Sequence, residues 1–299
     1  MSSSSQHQKF QEEVLRKVRQ VEIKTKRLVE QILAGEYKTA FKGQGMTFAD
    51  FREYVAGDDV RNISWTQTAK AGKTFIKTFE EERELQVVMA VDMSASTEIG
   101  SSGYMKSELL AMIAGVLGMS ASSNQDHIGL VLFSDRVEKY IPAKKGRGQV
   151  QLLMRELFFH EPQNKKTDLA ELFRFLSAIL KKKSYVFVFS DFQAGDFSSE
   201  LKFLTRKHQV VCGMFQQNIE SSLQGMGLVE LEDPETGETM VVDTDTPEVL
   251  QQLKKIQQKR VDEVKASLKS CGSDILEFQR DDFDVAPLVK YFQSRRRRR

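Results

Sequence analysis

Apolar residues in this chain form short continuous runs that alternate with longer stretches of helical spacing. Six of the seven residues from Leu85 to Val91 are apolar, which is typical of a strand buried on both faces of a parallel sheet. Similar runs predict strands over 128–133, 137–141, 185–189 and 210–215. Helical spacing predicts helices over 105–122, 147–158, 168–182 and 198–207. This alternation predicts an α/β fold with a mostly parallel sheet flanked by helices.

The residues on either side of this α/β region have different patterns. Residues 9–34 have helical spacing, and the charged segment 43–84 predicts a partly buried ion-pair lattice that holds an irregular backbone. After the last core strand, the pattern predicts a hairpin over 228–242, a polar helix over 247–270 and a strand over 275–278. We therefore divide the chain into three parts. They are an N-terminal helix and charged segment (1–84), an α/β core (85–220) and a C-terminal hairpin, helix, strand and arginine run (221–299).

Composition narrows the class of protein. Of the 299 residues 40% are hydrophobic and 29% charged, and the net charge of +2 gives no global field that would favour nucleic acid or membranes. The two cysteines, Cys212 and Cys271, and the absence of an N-terminal signal-like stretch predict a reducing, cytoplasmic location. The longest apolar run, 109–119, is shorter than the ~20 residues that span a bilayer, so we expect no membrane span.

Oxygen-bearing side chains follow two of the predicted strands and open one helix. Asp92, Ser94 and Ser96 come directly after the first core strand, Thr167 stands at a helix start, and Asp191 follows the strand over 185–189. Ligands of open α/β sheets bind beyond the carboxyl ends of the strands, so we expect these side chains to share one crevice. Carboxylate and hydroxyl oxygens suit a hard cation such as Mg²⁺. The alternative is that these polar residues only cap helices.

The order of these residues resembles the metal-ion-dependent adhesion site of the von Willebrand factor A domain. Asp92, Ser94 and Ser96 match its first motif, Thr167 its second and Asp191 its third. The resemblance implies that these five residues bind Mg²⁺, or Mn²⁺ in its place, with the hydroxyls as direct ligands and the aspartates bound directly or through water. It also implies that one coordination position is left for a carboxylate of a partner protein.

A second resemblance covers nearly the whole chain. The segment from Gly45 to Trp65, with Gly57-Asp58-Asp59-Val60-Arg61 at its centre, is similar to the signature of the family called domain of unknown function 58. Its members are bacterial and archaeal proteins usually encoded beside MoxR-type AAA+ ATPases. The resemblance implies that the protein works with such an ATPase in chaperone-like maturation or assembly of other proteins. Our leading hypothesis is a non-enzymatic adaptor that binds the ATPase, a client protein or both.

Two other functions stay open at this point. A hydrolase could use a metal-activated water, and Asp168 is the local candidate for its general base. None of the four histidines adjoins a serine or cysteine in a recognisable catalytic motif. Binding to nucleic acid or another anionic surface would use the basic N-terminal helix and the run 295–299, which we interpret as a solvated tail.

Overall fold

The structure, a computed structural model, describes residues 19–23, 25, 47–80, 85–94, 103–164, 166–216, 226–232, 239–279 and 285–297. One compact unit lies within residues 41–85, and the described residues on either side of it form a second unit. The larger unit contains the predicted α/β region.

The smaller unit is built on a two-stranded antiparallel sheet. Strand β1 (Thr47–Glu53) pairs with β2 (Phe75–Glu80), with a register shift between Phe48 and Asp50. A short 3-10 helix (Val60–Asn62) and helix α1 (Trp65–Ala71) connect them. The sequence predicted an irregular backbone here, and that prediction was wrong, because the charged residues occupy regular strands and their connection.

The predicted ion pairs of this segment are present but lie at the surface. Two nitrogens of the Arg52 guanidinium donate to the Asp58 carboxylate at 2.8 and 2.6 Å, and Asp58 also accepts from the Val55 amide at 2.9 Å. The bond from Arg52 holds the pKa of Asp58 below its usual range. Arg61 pairs in the same way with Asp59, whose carboxylate also accepts from the Arg61 amide. These contacts hold the segment between β1 and α1 in place.

The larger unit contains a six-stranded sheet. Its strands are β3 (Gln86–Asp92), β4 (His127–Phe133), β5 (Val137–Lys144), β6 (Tyr185–Ser190), β7 (Gln209–Gln216) and β10 (Asp274–Gln279). Their order across the sheet is β10-β7-β6-β3-β4-β5. Of these strands, only β5 runs antiparallel to its neighbour. A separate hairpin of β8 (Leu228–Glu232) and β9 (Thr239–Asp243) follows β7 in the chain. The predicted α/β architecture, a mostly parallel sheet flanked by helices, is confirmed.

Helices cover both faces of this sheet because its central strands are apolar on both faces. The helices are α2 (Gly103–Ser123), α3 (Arg147–Phe159), α4 (Leu169–Ile179), α5 (Ser198–Thr205), α6 (Pro247–Ser270) and α7 (Ala286–Arg297). Val88 and Val188 pack in one cluster with Phe173 of α4. Phe187 contacts Tyr291 of α7 instead, with ring centroids 6.4 Å apart. None of the helices described is long and apolar enough to cross a membrane.

The last helix was missed by the sequence analysis, which interpreted the arginine run as a solvated tail. Arg295 lies within α7, where its guanidinium donates to the Tyr291 hydroxyl at 2.7 Å and lies 3.5 Å from the Asp274 carboxylate. The Tyr291 hydroxyl in turn donates to Asp274 at 2.9 Å. At least this first arginine of the run is therefore part of the folded protein.

The N-terminal helical prediction is only partly covered by the structure. Residues 19–23 and Thr25 are helical, and the rest of 9–34 lies outside the described residues. The buried Glu22 accepts a hydrogen bond from the Arg147 guanidinium of α3, and a Cβ on Gly115 of α2 would lie 2.9 Å from a Thr25 methyl. This turn of helix therefore packs against α2 and α3.

Gly129 of β4 lies against the backbone of β5, where the register of the pair shifts. A Cβ at this position would lie 2.9 Å from both the Ala143 amide nitrogen and the Ile141 carbonyl oxygen. We expect Gly129→Ala to lower the free energy of unfolding by about 1–3 kcal/mol, because backbone atoms cannot yield as a flexible side chain would. Urea denaturation measures this. Gly148→Ala is the control, since its Cβ would meet no atom within 4 Å, and equal losses in both variants would contradict the expectation.

His208 makes part of the protein's stability depend on pH. The imidazole is buried, its Nδ1 accepts from the Ser184 amide at 3.3 Å, and burial lowers its pKa from 6.5 to about 4, with a smaller contribution from the charge of Lys207. Between these values the unfolded chain binds a proton that the folded protein does not. Stability should therefore fall as the pH drops from 6.5 towards 4.

We expect His208→Asn, which keeps an acceptor near the position of Nδ1, to remove up to about 3 kcal/mol of this pH-dependent change. Urea denaturation at several pH values between 4 and 7 would measure it, as the difference between the wild-type and variant curves. Parallel curves would contradict the assignment.

Candidate functional site

The site lies where the chain changes direction across the sheet. Strand β3 pairs on one side with β4, the next strand in the chain, and on the other side with β6, so the order of strands across the sheet reverses at β3. Such a switch point opens a crevice at the carboxyl ends of the strands, where ligands of α/β proteins bind. Asp92 is the last residue of β3 and its side chain is fully buried. A carboxylate thus stands at the base of this crevice.

Three of the five predicted site residues lie in direct contact. Asp92 Oδ1 accepts from the Ser94 amide at 2.9 Å. The Thr167 hydroxyl oxygen lies 3.2 and 3.4 Å from the two carboxylate oxygens of Asp92 and 2.8 Å from the Ser94 hydroxyl oxygen. Thr167 comes from the loop before α4, 75 residues away from Asp92 in the chain. The fold therefore joins the first and second predicted motifs at one point.

The structure places Asp191 at the same end of the sheet. It follows β6 directly, and its Oδ1 accepts from the Gln193 amide at 3.0 Å. The intervening Phe192 has a φ of 59°, a left-handed conformation that is uncommon for a bulky residue. Its ring is buried and packs against Phe197 at a centroid distance of 6.4 Å, which holds this turn in place. Ser96, the remaining predicted residue, lies outside the described residues.

Ser190 belongs to the site, although the sequence analysis did not include it. Its hydroxyl donates to Asp92 Oδ2 at 2.6 Å and accepts from the Phe192 amide at 3.0 Å. The register of β3 and β6 pairs Val91 with Phe189, so the next residues of the two strands, Asp92 and Ser190, are neighbours. The signal in the sequence is a polar residue that ends an otherwise apolar strand, but only the register shows which residue it meets.

The donor set fits a hard divalent cation. It consists of the buried Asp92 carboxylate and the hydroxyls of Ser94 and Thr167, with the Asp191 carboxylate at the same edge of the sheet. Oxygen ligands of this kind suit Mg²⁺ or Mn²⁺ and suit thiophilic metals poorly. In the described part of the chain, no three or more His, Cys, Asp or Glu side chains group so as to hold a metal ion. The hydroxyls would therefore supply much of the coordination.

Asp168, the candidate general base, has a structural role in the geometry. Its carboxylate accepts from the Glu171 amide at 2.8 Å and so caps the first turn of α4. Its own amide donates to the Ser134 carbonyl oxygen at 2.9 Å. These bonds fix the start of the helix immediately after Thr167.

Cys212 has a buried, unbridged thiol. Burial raises the pKa of this thiol to about 12, which keeps it protonated and unreactive. Cys271 is also a buried free cysteine. Neither thiol is part of the donor set at the crevice.

The chain matches the family model described as "Protein of unknown function DUF58" over residues 50–263. The match begins within β1 and ends within α6. It therefore includes most of the charged segment and five of the six strands of the sheet that carries the site, β3 to β7.

Relatives of similar length occur in mycobacteria. The uncharacterized protein Rv1480 of Mycobacterium tuberculosis is 24% identical over 283 residues, covering 94% of this chain and 89% of its own. The uncharacterized protein Mb1516 of Mycobacterium bovis gives the same values.

Solved structures with similar folds include the conserved hypothetical protein BatB from Bacteroides thetaiotaomicron. It is 10% identical, with a TM-score of 0.43, and the alignment covers 71% of this chain and 99% of BatB. An aerotolerance-related membrane protein from Bacteroides fragilis is 12% identical, with a TM-score of 0.43 and coverage of 72% and 100%. Proximal thread matrix protein 1 from the mussel byssus, with a zinc-occupied MIDAS motif, is 15% identical with a TM-score of 0.36, covering 46% and 39%.

Proposed function

The chain belongs to the DUF58 family, and from this premise we propose that it is a non-enzymatic, metal-dependent adaptor that binds other proteins. In this proposal Asp92, Ser94 and Thr167 hold Mg²⁺, or Mn²⁺ in its place, together with Ser96 and Asp191. A carboxylate of the partner protein completes the coordination.

One observation carries the proposal. The Thr167 hydroxyl oxygen lies within 3.4 Å of both Asp92 carboxylate oxygens and 2.8 Å from the Ser94 hydroxyl oxygen. Three oxygen donors from two distant parts of the chain thus converge at the switch point of the sheet. A helix cap would need only one such side chain, directed at a backbone amide. The convergence favours a shared ligand over separate capping roles.

When bound, the ion would supply positive charge that these neutral hydroxyls offset only weakly. The carboxylate of Asp92 is held by its hydroxyl and amide neighbours, so its orientation would be set before the ion arrives. With few charged groups among the ligands, the site would keep affinity for a further anionic oxygen. A Glu or Asp side chain of another protein is the anion that this arrangement suits.

The partner class follows from the family resemblance described above. We propose a MoxR-type AAA+ ATPase, a client protein or both as partners, in the bacterial cytoplasm and in chaperone-like maturation or assembly. The crevice would bind a carboxylate on the surface of one of these proteins. Neither a nucleophile nor a general base is needed for this role.

We expect Thr167→Val to weaken Mg²⁺ binding about tenfold or more, because the substitution removes the hydroxyl and keeps the side chain's size. Isothermal titration calorimetry with MgCl₂ would measure the affinity. The control is Thr205→Val, which removes a hydroxyl that donates to the Cys271 carbonyl oxygen at 2.7 Å, away from the crevice. Wild-type affinity in Thr167→Val would argue against this residue as a ligand.

Partner capture should depend on the same residues. We expect a pulldown from native lysate with the wild-type protein and Mg²⁺ to recover an AAA+ ATPase that excess EDTA releases. Asp191→Ala should lose this capture and still unfold cooperatively. If mass spectrometry finds the ATPase in equal amounts in EDTA, the partner would stand, and its capture through the metal would be refuted.

A further inference from the structure

A buried carboxylate outside the proposed metal site fixes the loop that carries Thr167. Glu138 is the second residue of β5, and its side chain is completely buried. Its carboxylate accepts from the Ser134 hydroxyl at 2.5 Å and contacts His160 Nε2 at 2.5 Å. It also accepts from the Gln163 amide, at 3.1 and 3.3 Å to its two oxygens. One carboxylate thus joins the turn between β4 and β5 to the loop between α3 and α4.

The charge state of this group follows from its contacts. Burial alone would raise the pKa of Glu138, but the hydrogen bonds from Ser134, His160 and Gln163 outweigh it and hold the pKa below its usual range. An ionised carboxylate can only accept hydrogen bonds, so the His160 Nε2 must carry a hydrogen. Donors from three separate positions therefore converge on one buried anion.

Further bonds connect the same turn and loop on the way to the site. The Asn164 side-chain amide donates to Asp135 Oδ1 at 2.9 Å. The Asp168 amide donates to the carbonyl oxygen of Ser134 at 2.9 Å. Thr167 therefore lies between Gln163, whose amide donates to Glu138, and Asp168, whose amide donates to Ser134. The Ser134 hydroxyl donates to the same Glu138 carboxylate.

The end of β4 is also bonded to the first motif. The Met93 amide, between Asp92 and Ser94, donates to the carbonyl oxygen of Phe133 at 2.8 Å. Phe133 ends β4, immediately before Ser134. The end of β4 and the turn that follows it thus contact the backbone of both segments whose side chains meet at the crevice.

We propose that Glu138 and His160 are positioning residues for metal binding, holding Thr167 at the distance from Asp92 and Ser94 that the ion requires. This inference rests on the proposed metal site. It assigns to neither residue a contact with the ion or with the partner protein. Their effect passes through the described residues on either side of Thr167, Gln163 and Asn164 before it and Asp168 after it.

The test uses the full-length protein and two measurements. The first needs no metal and follows amide hydrogen exchange at Gln163 and Asp168. Glu138→Gln places a side-chain amide group against the Ser134 and His160 donors, which weakens the hydrogen bonds that hold the loop. The backbone amides of Gln163 and Asp168 should therefore exchange about tenfold faster or more. The second is Mg²⁺ affinity by calorimetry, which we expect to fall about tenfold in Glu138→Gln, as in other sites whose supporting hydrogen bonds are lost.

The matched control is Lys139→Gln on the same strand. Lys139 pairs with Glu156 of α3 at 2.6 Å and so also joins β5 to α3. The Lys139→Gln variant should have the Mg²⁺ affinity and both exchange rates of the wild type. His160→Gln retains an N–H donor and should keep most of the affinity, whereas His160→Phe should lose it as Glu138→Gln does. All variants are compared at a temperature where circular dichroism shows them fully folded.

The outcomes separate this inference from the proposed function. Unchanged exchange of the Gln163 and Asp168 amides in Glu138→Gln would overturn the positioning role, whatever the Mg²⁺ affinity of the variant. Faster exchange with unchanged Mg²⁺ affinity would overturn the link to the ion and leave the metal site intact. A wild-type protein that binds no Mg²⁺ would refute the metal site, and with it the link, while the exchange data would still decide whether Glu138 orders the loop. Equal losses in Lys139→Gln would reduce the effect to general stability and overturn the proposal.

Discussion

The structure at the end of β3 depends on satisfying the fully buried Asp92 carboxyl group with hydrogen bonds. Removing a carboxylate from water is costly unless hydrogen bonds replace the lost hydration. Here the replacements come from the Ser94 amide, the Ser190 hydroxyl and the Thr167 hydroxyl. They come from the segment after β3, the end of β6 and the loop before α4, so the requirement to satisfy one buried carboxyl group brings three parts of the chain to the same point.

The same constraint explains why the surrounding loops are held so firmly. Two of the donors are hydroxyls, whose bonds are useful only at short range and in suitable geometry. The turn after β6 is fixed by the left-handed Phe192 with its buried ring, and the loop before α4 is fixed by Glu138 and Ser134. Packing and hydrogen bonds outside the crevice therefore determine geometry within it.

Much of this arrangement follows from the sequence, because buried parallel strands are continuous apolar runs. The strands over 86–92, 127–133 and 185–190 and the helix over 247–270 agree with the predicted elements to within about two residues. The arginine run was misjudged because its first residue finds partners in Tyr291 and Asp274. Such tertiary contacts leave no periodic signal.

The site was predictable to the level of strand ends but not of register. Apolar runs show where β3 and β6 end, and hence that Asp92 and Asp191 share one edge of the sheet. They do not show that Ser190 lies opposite Asp92, since this depends on which residues pair. Nor does any local pattern connect Glu138 with His160, which are 22 residues apart in the chain. Contacts between loops arise only once the sheet is assembled.

The ionisable side chains near the crevice are engaged in structural contacts, and this bears on the choice between binding and catalysis. Asp168 caps α4, while Glu138 is held by Ser134, Gln163 and His160. A general base must be free to take a proton from a bound water or substrate, and removing either carboxylate from its present bonds would release the loop that carries Thr167. A binding site makes no such demand, because it needs the same oxygens in the same places before and after the partner arrives. These contacts therefore support the proposed role in binding.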